Sequence, residues 1–464
     1  MSQSSSSTPP PVAGRSTLYR ARWILPVVSP PIPEGEVLVD ASGRIAVVAP
    51  AGTIEVPGDG VVDDLGEAIL LPGLVNVHAH PELTMFRGAL EDLPFRDWIL
   101  RLVSARRAVL RDEDSLAAAR WTMVEALKAG ITTLAATETS GAAVEALREA
   151  GMRGIVYQET FGPDPRDAAA SARQLREDLD RLLPRTTDLV GVGVSPHAPY
   201  TVSDDLYRAA VEIARHAGLP MAVHIAESAA ERDLVSRGEG DFAVALRARG
   251  IDTSPRAASS IELLGKLGVL ESRPLLIHCV DLDEACIELI REAGCAIAHC
   301  PVANAKLGHG IAPIRELLDR GITVGIGTDS VGSNNRLDLI EEARVVSLLQ
   351  RARAARPDLL PAAQLLSLCT MEGARALGLE ERIGSLEPGK DADLCAVSIS
   401  GSHSIPAFDP VTALFHSARG SDVIMAAVRG RVLYRDGKVL SLSEPEARVA
   451  IEAAADRLRQ MAVP

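Results

Sequence analysis

Between Leu71 and about Leu379 the chain repeats one texture eight times, a short apolar run followed by a stretch rich in Ala, Leu, Arg and Glu. The runs are LPGLVNVHAH, GITTLAATETS, GIVYQETFG, VGVGVSPHAPY, PMAVHIAES, PLLIHCV, CAIAHCPVAN and TVGIGTDSVGSN. Runs of this kind read as strands buried on both faces, as parallel strands are when helices cover them. The stretches between them are amphipathic. After the fourth run, Leu206, Ala210, Ile213 and Ala217 recur at helical spacing, with Arg208, Glu212 and Arg215 on the other side. Eight strand–helix units in a span of this length predict a (β/α)8 TIM barrel.

The flanks have a different texture. Residues 17–71 carry short β-type runs broken by Pro, Gly and Asp, as in EVLVDASGRIAVVAP, and no good helical period. From Ile383 the same texture returns in IGSLEPGKDADLCAVSI and VIMAAVRGRVLYRDGKVL, and helical EPEARVAIEAAADRLRQMA follows. The expected organisation is a tail over 1–16, one part of a small β-sandwich over 17–71, the barrel over 72–382, and the second sandwich part with a C-terminal helix over 383–464. The tail, MSQSSSSTPPPVAG, is Ser/Pro-rich and reads as disordered, without the basic and apolar regions of a signal peptide. No apolar run approaches a membrane span. A net charge of −14 argues against a nucleic-acid or anionic-membrane partner. The six cysteines are scattered through apolar segments, as expected of buried free thiols in a reducing cytoplasm.

In a barrel of this type the active site is built at the C-terminal ends of the strands. Those ends carry His78 and His80, Glu138, Gln158 and Glu159, His197, His224 and Glu227, His278, and Asp329, with His299 just inside the seventh run. The pair in LVNVHAHPELTMFRG is separated by a single residue, so strand alternation points both imidazoles to the same side. Alone, H-x-H is as well explained by two polar residues in a strand-to-loop turn. With further histidines and a carboxylate at the other strand ends, a metal centre is the stronger reading. A hydrolytic metal site wants neutral imidazoles and a carboxylate, with one position left for water. His78, His80, His224 and Asp329 supply that set. Glu227, three residues past His224, is placed to shuttle a proton from water to substrate, because an amine leaves well only when protonated. His278 and Asp329 are the candidates to orient and deprotonate the water.

Several stretches together resemble the amidohydrolase superfamily. They are PGLVNVHAHPELTMFRGALEDLPFRDWI, SPHAPYTVS, HIAES, IHCVDL, HCPVANAKLGHGIAPI, GTDSVGSNNRLDL and GSLEPGKDADL. Within the superfamily the chain is similar to the branch of methylthioadenosine/S-adenosylhomocysteine deaminases, aminodeoxyfutalosine deaminases and triazine chlorohydrolases. The resemblance implies a barrel with a β-sandwich and metal ligation by His78, His80, His224 and Asp329. It also implies proton transfer by Glu227, water orientation by His278, and a substrate contact at His197. Two-metal members carry a lysine at the end of strand four. Here that end reads Ser195-Pro196-His197-Ala198-Pro199-Tyr200, so one divalent ion is expected, zinc first, with Fe2+ or Mn2+ also compatible with such ligands. A cysteine-ligated deaminase site is not expected, since Cys295 and Cys300 lack the P-C-x-x-C spacing.

The function this implies is hydrolytic deamination of an amino-purine nucleoside or related aminated ring, a small-molecule substrate, by a chain that the resemblance allows to be a homodimer. By spacing, adenosyl-type deaminases place a ribose-binding glutamate where this chain has Arg107, and a substrate arginine near Gln158. YQETFGP resembles instead the deaminases of aminodeoxyfutalosine, whose benzoate arm would suit Arg106 or Arg107. S-adenosylhomocysteine/methylthioadenosine or guanine deamination, chlorohydrolase or cyclic amidase activity, and a non-catalytic interaction protein are the alternatives. Whether Gln158 or Glu159 meets substrate is left open. Trp98 either walls the ring pocket or is a buried barrel-top aromatic. His299 reads as a supporting or core residue, and His216, His309, His403 and His416 as structural or solvent-exposed. Glu138 could approach the pocket, though nothing in the sequence requires it.

Overall fold

Eight parallel strands form the barrel: Leu74–Ala79, Ile131–Glu138, Arg153–Thr160, Val190–Pro196, Ala222–Ile225, Leu275–His278, Ala296–His299 and Val324–Ile326. The computed structural model in which they are seen describes residues 14–109 and 111–460, the side chains of 107–109 excepted. Strands one to four and five to eight are each laddered in parallel register. Two seams close the ring. The Val194 N–H donates to Pro220 O and the His224 N–H to His197 O, both at 2.9 Å. At the other seam the Thr328 and Asp329 N–H groups both donate to His78 O at 3.0 Å. Glycine makes that second approach possible: a Cβ on Gly325 would stand 2.7 Å from the Val77 side chain, and one on Gly327 2.9 Å from that of His78. The strand that carries Asp329 is thereby drawn against the strand that carries His78.

Alternation divides each strand between two cores. Val75, Val77, Ala135, Tyr157, Ala222, Leu275, Ile277 and Ala298 fill the barrel interior. Leu74, Leu134, Val156, Val192, Val223, Leu276 and Ile297 face outward into the larger core shared with the helices. The helix Asp204–Ala217 follows the expected period at Leu206, Ala210 and Ile213, which are buried. Ala217 departs from it and is exposed, because Gly218, at φ 64°, ends the helix there in a left-handed cap. Ala214 is the buried residue of that last turn.

The two β-rich flanks are hydrogen-bonded into one nine-stranded sheet. Ala68–Pro72, just before the first barrel strand, pairs antiparallel with Leu394–Ser398, so residues more than 300 positions apart in sequence join at its centre. Alternation operates here too. Leu70, Leu394, Ala396 and Met425 pack with Tyr19, Val37 and Ile45 in the sheet's own core, while Ile69, Leu71, Cys395 and Val397 join the barrel's outer core. Arg153, at the N-terminal end of strand three, fixes the junction from inside: its guanidinium donates to Asp393 and Asp391 at 2.8 Å, all three side chains being buried. The C-terminal helix, Glu444–Gln460, lies against the barrel helix Asp112–Lys128, through Lys128–Glu444 and Arg457–Asp114 ion pairs. Its Ile451 and Ala454 pack in a cluster with Leu83, Phe86 and Trp98, behind the mouth of the barrel.

The expected tail lies outside the described residues, save for residues 14–16. All six cysteines are buried and free. Among the described residues no helix is long and apolar enough to cross a membrane.

Candidate metal centre and substrate cavity

The strand ends converge. The ring centroids of His78 and His80 are 4.8 Å apart, and those of His78 and His224 4.9 Å. The Nε2 atoms of His80 and His224 approach to 3.3 Å. Asp329 Oδ1 lies 3.3 Å from His78 Nε2 and 3.5 Å from His80 Nε2. His278 closes the ring of imidazoles, 5.8 Å from His78 and 5.5 Å from His224 between centroids. Two of these residues adopt positive φ without being glycine, His278 at 76° and Asp329 at 57°. A backbone so bent costs free energy, and such conformations cluster at functional sites where they aim a side chain.

The charge states suit a cation. Burial, reinforced by the neighbouring imidazoles, lowers the pKa of His80 to about 3 and of His197 to about 4, and takes His224 well below its usual value. All three are neutral at pH 7. Burial alone would raise the Asp329 carboxyl, but His78, His80 and His278 hold it far below the usual range, as an anion. Neutral imidazoles beside an ionised carboxylate are the donor set a divalent ion requires. His78 Nε2 is buried 3.3 Å from Asp329 Oδ1 and completes no hydrogen bond, so it is not committed to a protein group. Nitrogen and oxygen atoms of His78, His80 and Asp329 all lie within 4.8 Å of one another, as do those of His78, His224 and His278 and those of His80, Glu159 and His224. These residues fit a metal.

Glu227 sits beside this cluster, in the turn before the helix Ala229–Arg237. The Tyr200 hydroxyl donates to its Oε2 at 3.1 Å. Its Oε1 lies 3.5 Å from His278 Nε2 and 3.3 Å from His309 Nε2. Burial opposes ionisation, but His278 and His309 outweigh it and bring the carboxyl down to about 2. His278 Nδ1 in turn stands 3.0 Å from Asn304 Oδ1, and His197 Nδ1 2.8 Å from Thr201 Oγ1.

A cavity of about 700 Å³ opens over the cluster, with His80, His197, His224, Glu227, His278 and Asp329 on its floor. Phe95, Trp98, Ile99, Leu102 and Tyr200 wall it. The walls arise from the helix Phe95–Val109 and the turn after strand four. Trp98 is both a wall and a buried barrel-top aromatic. Leu100, Val103 and Phe161 stand partly exposed at the mouth, and Arg249 reaches it as well.

The remaining candidates divide. Glu159 lines the cavity, with its Oε1 3.9 Å from His224 Nδ1; burial and the nearby Glu82 raise its carboxyl to about 8. Gln158 points the other way along the strand and donates to Thr139 O. Glu138 is absent from the cavity lining: its carboxylate accepts from the Ala143 N–H and so serves the start of the next helix. His299 is buried below the cavity floor, outside its lining. Arg106 does reach the cavity, but its guanidinium is held by Glu82 and by Thr139 Oγ1, so it is not a free cation for a substrate carboxylate. The Arg107 side chain lies outside the described residues. His216 is exposed, His416 half-buried, and His403 is paired to Asp422. Of the two readings of His309, structural or solvent-exposed, the structure takes the first: its side chain is only 3 % exposed and its Nε2 lies 3.3 Å from Glu227. Sequence reasoning missed Phe95, Tyr200, Glu82 and Arg249. Glu82 carried a signal, two residues past His80; Arg249 carried none.

A metal-capable cluster at the C-terminal mouth of a barrel, flanked by a β-sheet built from both chain ends, defines the class. The chain belongs to the amidohydrolase family, which it matches over residues 69–433. It is 34 % identical to a 5-methylthioadenosine/S-adenosylhomocysteine deaminase of Moorella thermoacetica, covering 91 % of this chain and 95 % of that protein. A 5'-deoxyadenosine deaminase of Methanothermobacter thermautotrophicus is 33 % identical over 92 % of this chain and 95 % of its own. Among solved structures, an adenosine deaminase from Xanthomonas campestris with bound zinc superimposes with a TM-score of 0.84 at 27 % identity, over 97 % of this chain and all of that one.

Proposed function

We propose that this chain is a metal-dependent hydrolase that removes the exocyclic amino group of an amino-purine nucleoside as ammonia. The observation that carries the reading is the placement of Glu227, an ionised carboxylate, at the edge of the imidazole–Asp329 cluster and on the floor of an aromatic-walled cavity. His78, His80, His224 and Asp329 would hold one divalent ion, zinc first. Bound there, such an ion makes water acidic enough to attack at neutral pH.

The protein side of the chemistry follows from the geometry. Glu227 is anionic and therefore a base: it takes a proton from the attacking water and delivers it to the ring nitrogen. A second proton, taken by Glu227 from the hydroxyl now on the ring carbon and delivered to the amino group, makes ammonia the leaving group as the carbon–nitrogen bond breaks, so water plus amine gives carbonyl plus ammonia with no other reactant. His278 and Asp329 flank Glu227's side of the cluster and orient the water. Trp98 and Phe95 cover the ring and exclude solvent, and His197 contacts the substrate from strand four.

Within this class we favour aminodeoxyfutalosine. The mouth supports an arm that is apolar along its length and anionic at its end, since Leu100, Val103 and Phe161 lead outward and Arg249 is an exposed cation among the described lining residues. Arg249 thus offers the kind of charge that the sequence suggested in Arg106 or Arg107. The named relatives favour a second reading, deamination of 5'-deoxyadenosine, methylthioadenosine or S-adenosylhomocysteine.

Ammonia release by metal-loaded protein tests these readings against adenosine, 5'-deoxyadenosine, methylthioadenosine, S-adenosylhomocysteine, aminodeoxyfutalosine, guanine and a chlorotriazine. Release from one or more of the nucleosides is expected. Chloride release from the triazine with no ammonia from any nucleoside would overturn the deaminase reading.

A further inference from the structure

Glu227 must carry one proton from water to the ring nitrogen and a second from the hydroxyl that water leaves to the amino group, so its orientation matters as much as its charge. Three side chains touch it. Tyr200 holds Oε2, and two histidines converge on Oε1: His278 at 3.5 Å and His309, closer, at 3.3 Å. His278 belongs to the ring of imidazoles around the metal-capable cluster. His309 does not. It comes from the loop between the helices Pro301–Lys306 and Ile314–Asp319, and is absent from the cavity lining.

The loop is built to aim it. Gly308 and Gly310 flank His309 at φ 72° and 112°, a conformation other residues rarely adopt, and the His309 N–H is tied to Asn304 O at 2.9 Å. The imidazole is then packed edge-on against Phe95, with centroids 4.4 Å apart at 84°. Backbone, aromatic wall and carboxylate thus all bear on where the ring sits. A buried histidine needs no such arrangement to be a core residue.

We propose that His309 is a positioning residue for Glu227. Its Nε2 is buried 3.3 Å from Oε1 without a completed hydrogen bond; protonated there, it donates to Oε1 from behind the cavity and sets the carboxylate's rotation, while Tyr200 fixes the other oxygen. The inference rests on the proposed role of Glu227 as the proton carrier.

The test pairs His309→Leu, which keeps the bulk but not the donor, with His309→Gln, whose amide nitrogen reaches to where Nε2 stands. Displacing a catalytic group by an ångström costs on the order of 10²-fold. The Leu variant should therefore lose about 10- to 100-fold in kcat, with KM changed less than about threefold and the metal content of wild type. The Gln variant should recover most of kcat. In a Glu227→Gln background, His309→Leu should have no further effect on kcat. An imidazole 15N spectrum of the metal-loaded wild type, with the His309 signal identified by its loss in His309→Gln, should show the Nε2–H tautomer. The inference is overturned by a Leu variant with wild-type kcat, by Leu and Gln variants equally impaired, by loss of metal in both, or by an Nδ1–H tautomer. The spectrum decides even where the Leu variant fails to fold. Full turnover in Glu227→Gln would instead refute the proton-carrier reading itself.

Discussion

Glu227→Gln separates proton transfer from everything else this cavity does. Glutamine keeps the length and volume, so Trp98, Phe95 and Tyr200 need not move. Tyr200 can still donate to an oxygen at the Oε2 position, 3.1 Å away. What changes is Oε1. Placed there, an amide NH2 would face the Nε2 atoms of His309 and His278, 3.3 and 3.5 Å away, and could not carry a proton through the cycle. A lost acid–base group typically costs roughly 10²–10⁴-fold, which is about 2.7–5.4 kcal/mol of barrier at 1.36 kcal/mol per decade. Because one group serves every transfer here, at least that loss in kcat is expected. KM should change less than kcat, since the interaction strengthens mainly in the transition state. Steady-state ammonia release gives both constants, and elemental analysis of the same preparation should find wild-type metal, because Glu227 is outside the proposed ligand set. Loss of the metal would make Glu227 a ligand, and near-normal turnover would make it a bystander. Either result refutes the reasoning.

Three further outcomes are expected. Elemental analysis after metal-supplemented expression should find one divalent ion per chain, and His224→Ala should lose it while circular dichroism and the unfolding transition still report a folded barrel; two ions per chain would contradict a single site. Arg249→Ala should raise KM by up to about fivefold for substrates ending in a carboxylate, the scale of an exposed ion pair, and leave adenosine unaffected; equal effects on both would remove Arg249 from anion recognition. Arg153→Met should destabilise the protein by about 3–5 kcal/mol, since it leaves Asp391 and Asp393 buried with fewer partners. The urea midpoint reads that loss, and kcat of the folded variant should be unchanged because Arg153 begins the strand that carries Glu159 near its other end, at the opposite mouth of the barrel.

The eight strands and the convergence of His78, His80, His224, His278 and Asp329 were legible in the chain because both are local consequences of it. A buried strand shows as an apolar run, and a residue at a run's end is carried to the mouth of the barrel whatever lies elsewhere. Period-two alternation likewise sent His78 and His80 to one side before any fold was known. Only the tertiary structure decided which polar groups meet across loops. His309 stands in a Gly-flanked loop with no period, so nothing local marks it as a neighbour of a glutamate 82 positions earlier. Arg106 was legible as a cation but not as one already paired to Glu82, and Arg249 was not legible as a lining residue at all. The nine-stranded sheet has the same character: each strand announced itself, but the pairing of Ala68–Pro72 with Leu394–Ser398 required the barrel between them to return the chain to its start. Periodicity encodes which face of an element is buried. The partner on that face is set by the path of the whole chain, and the positioning groups of this cavity come from such meetings.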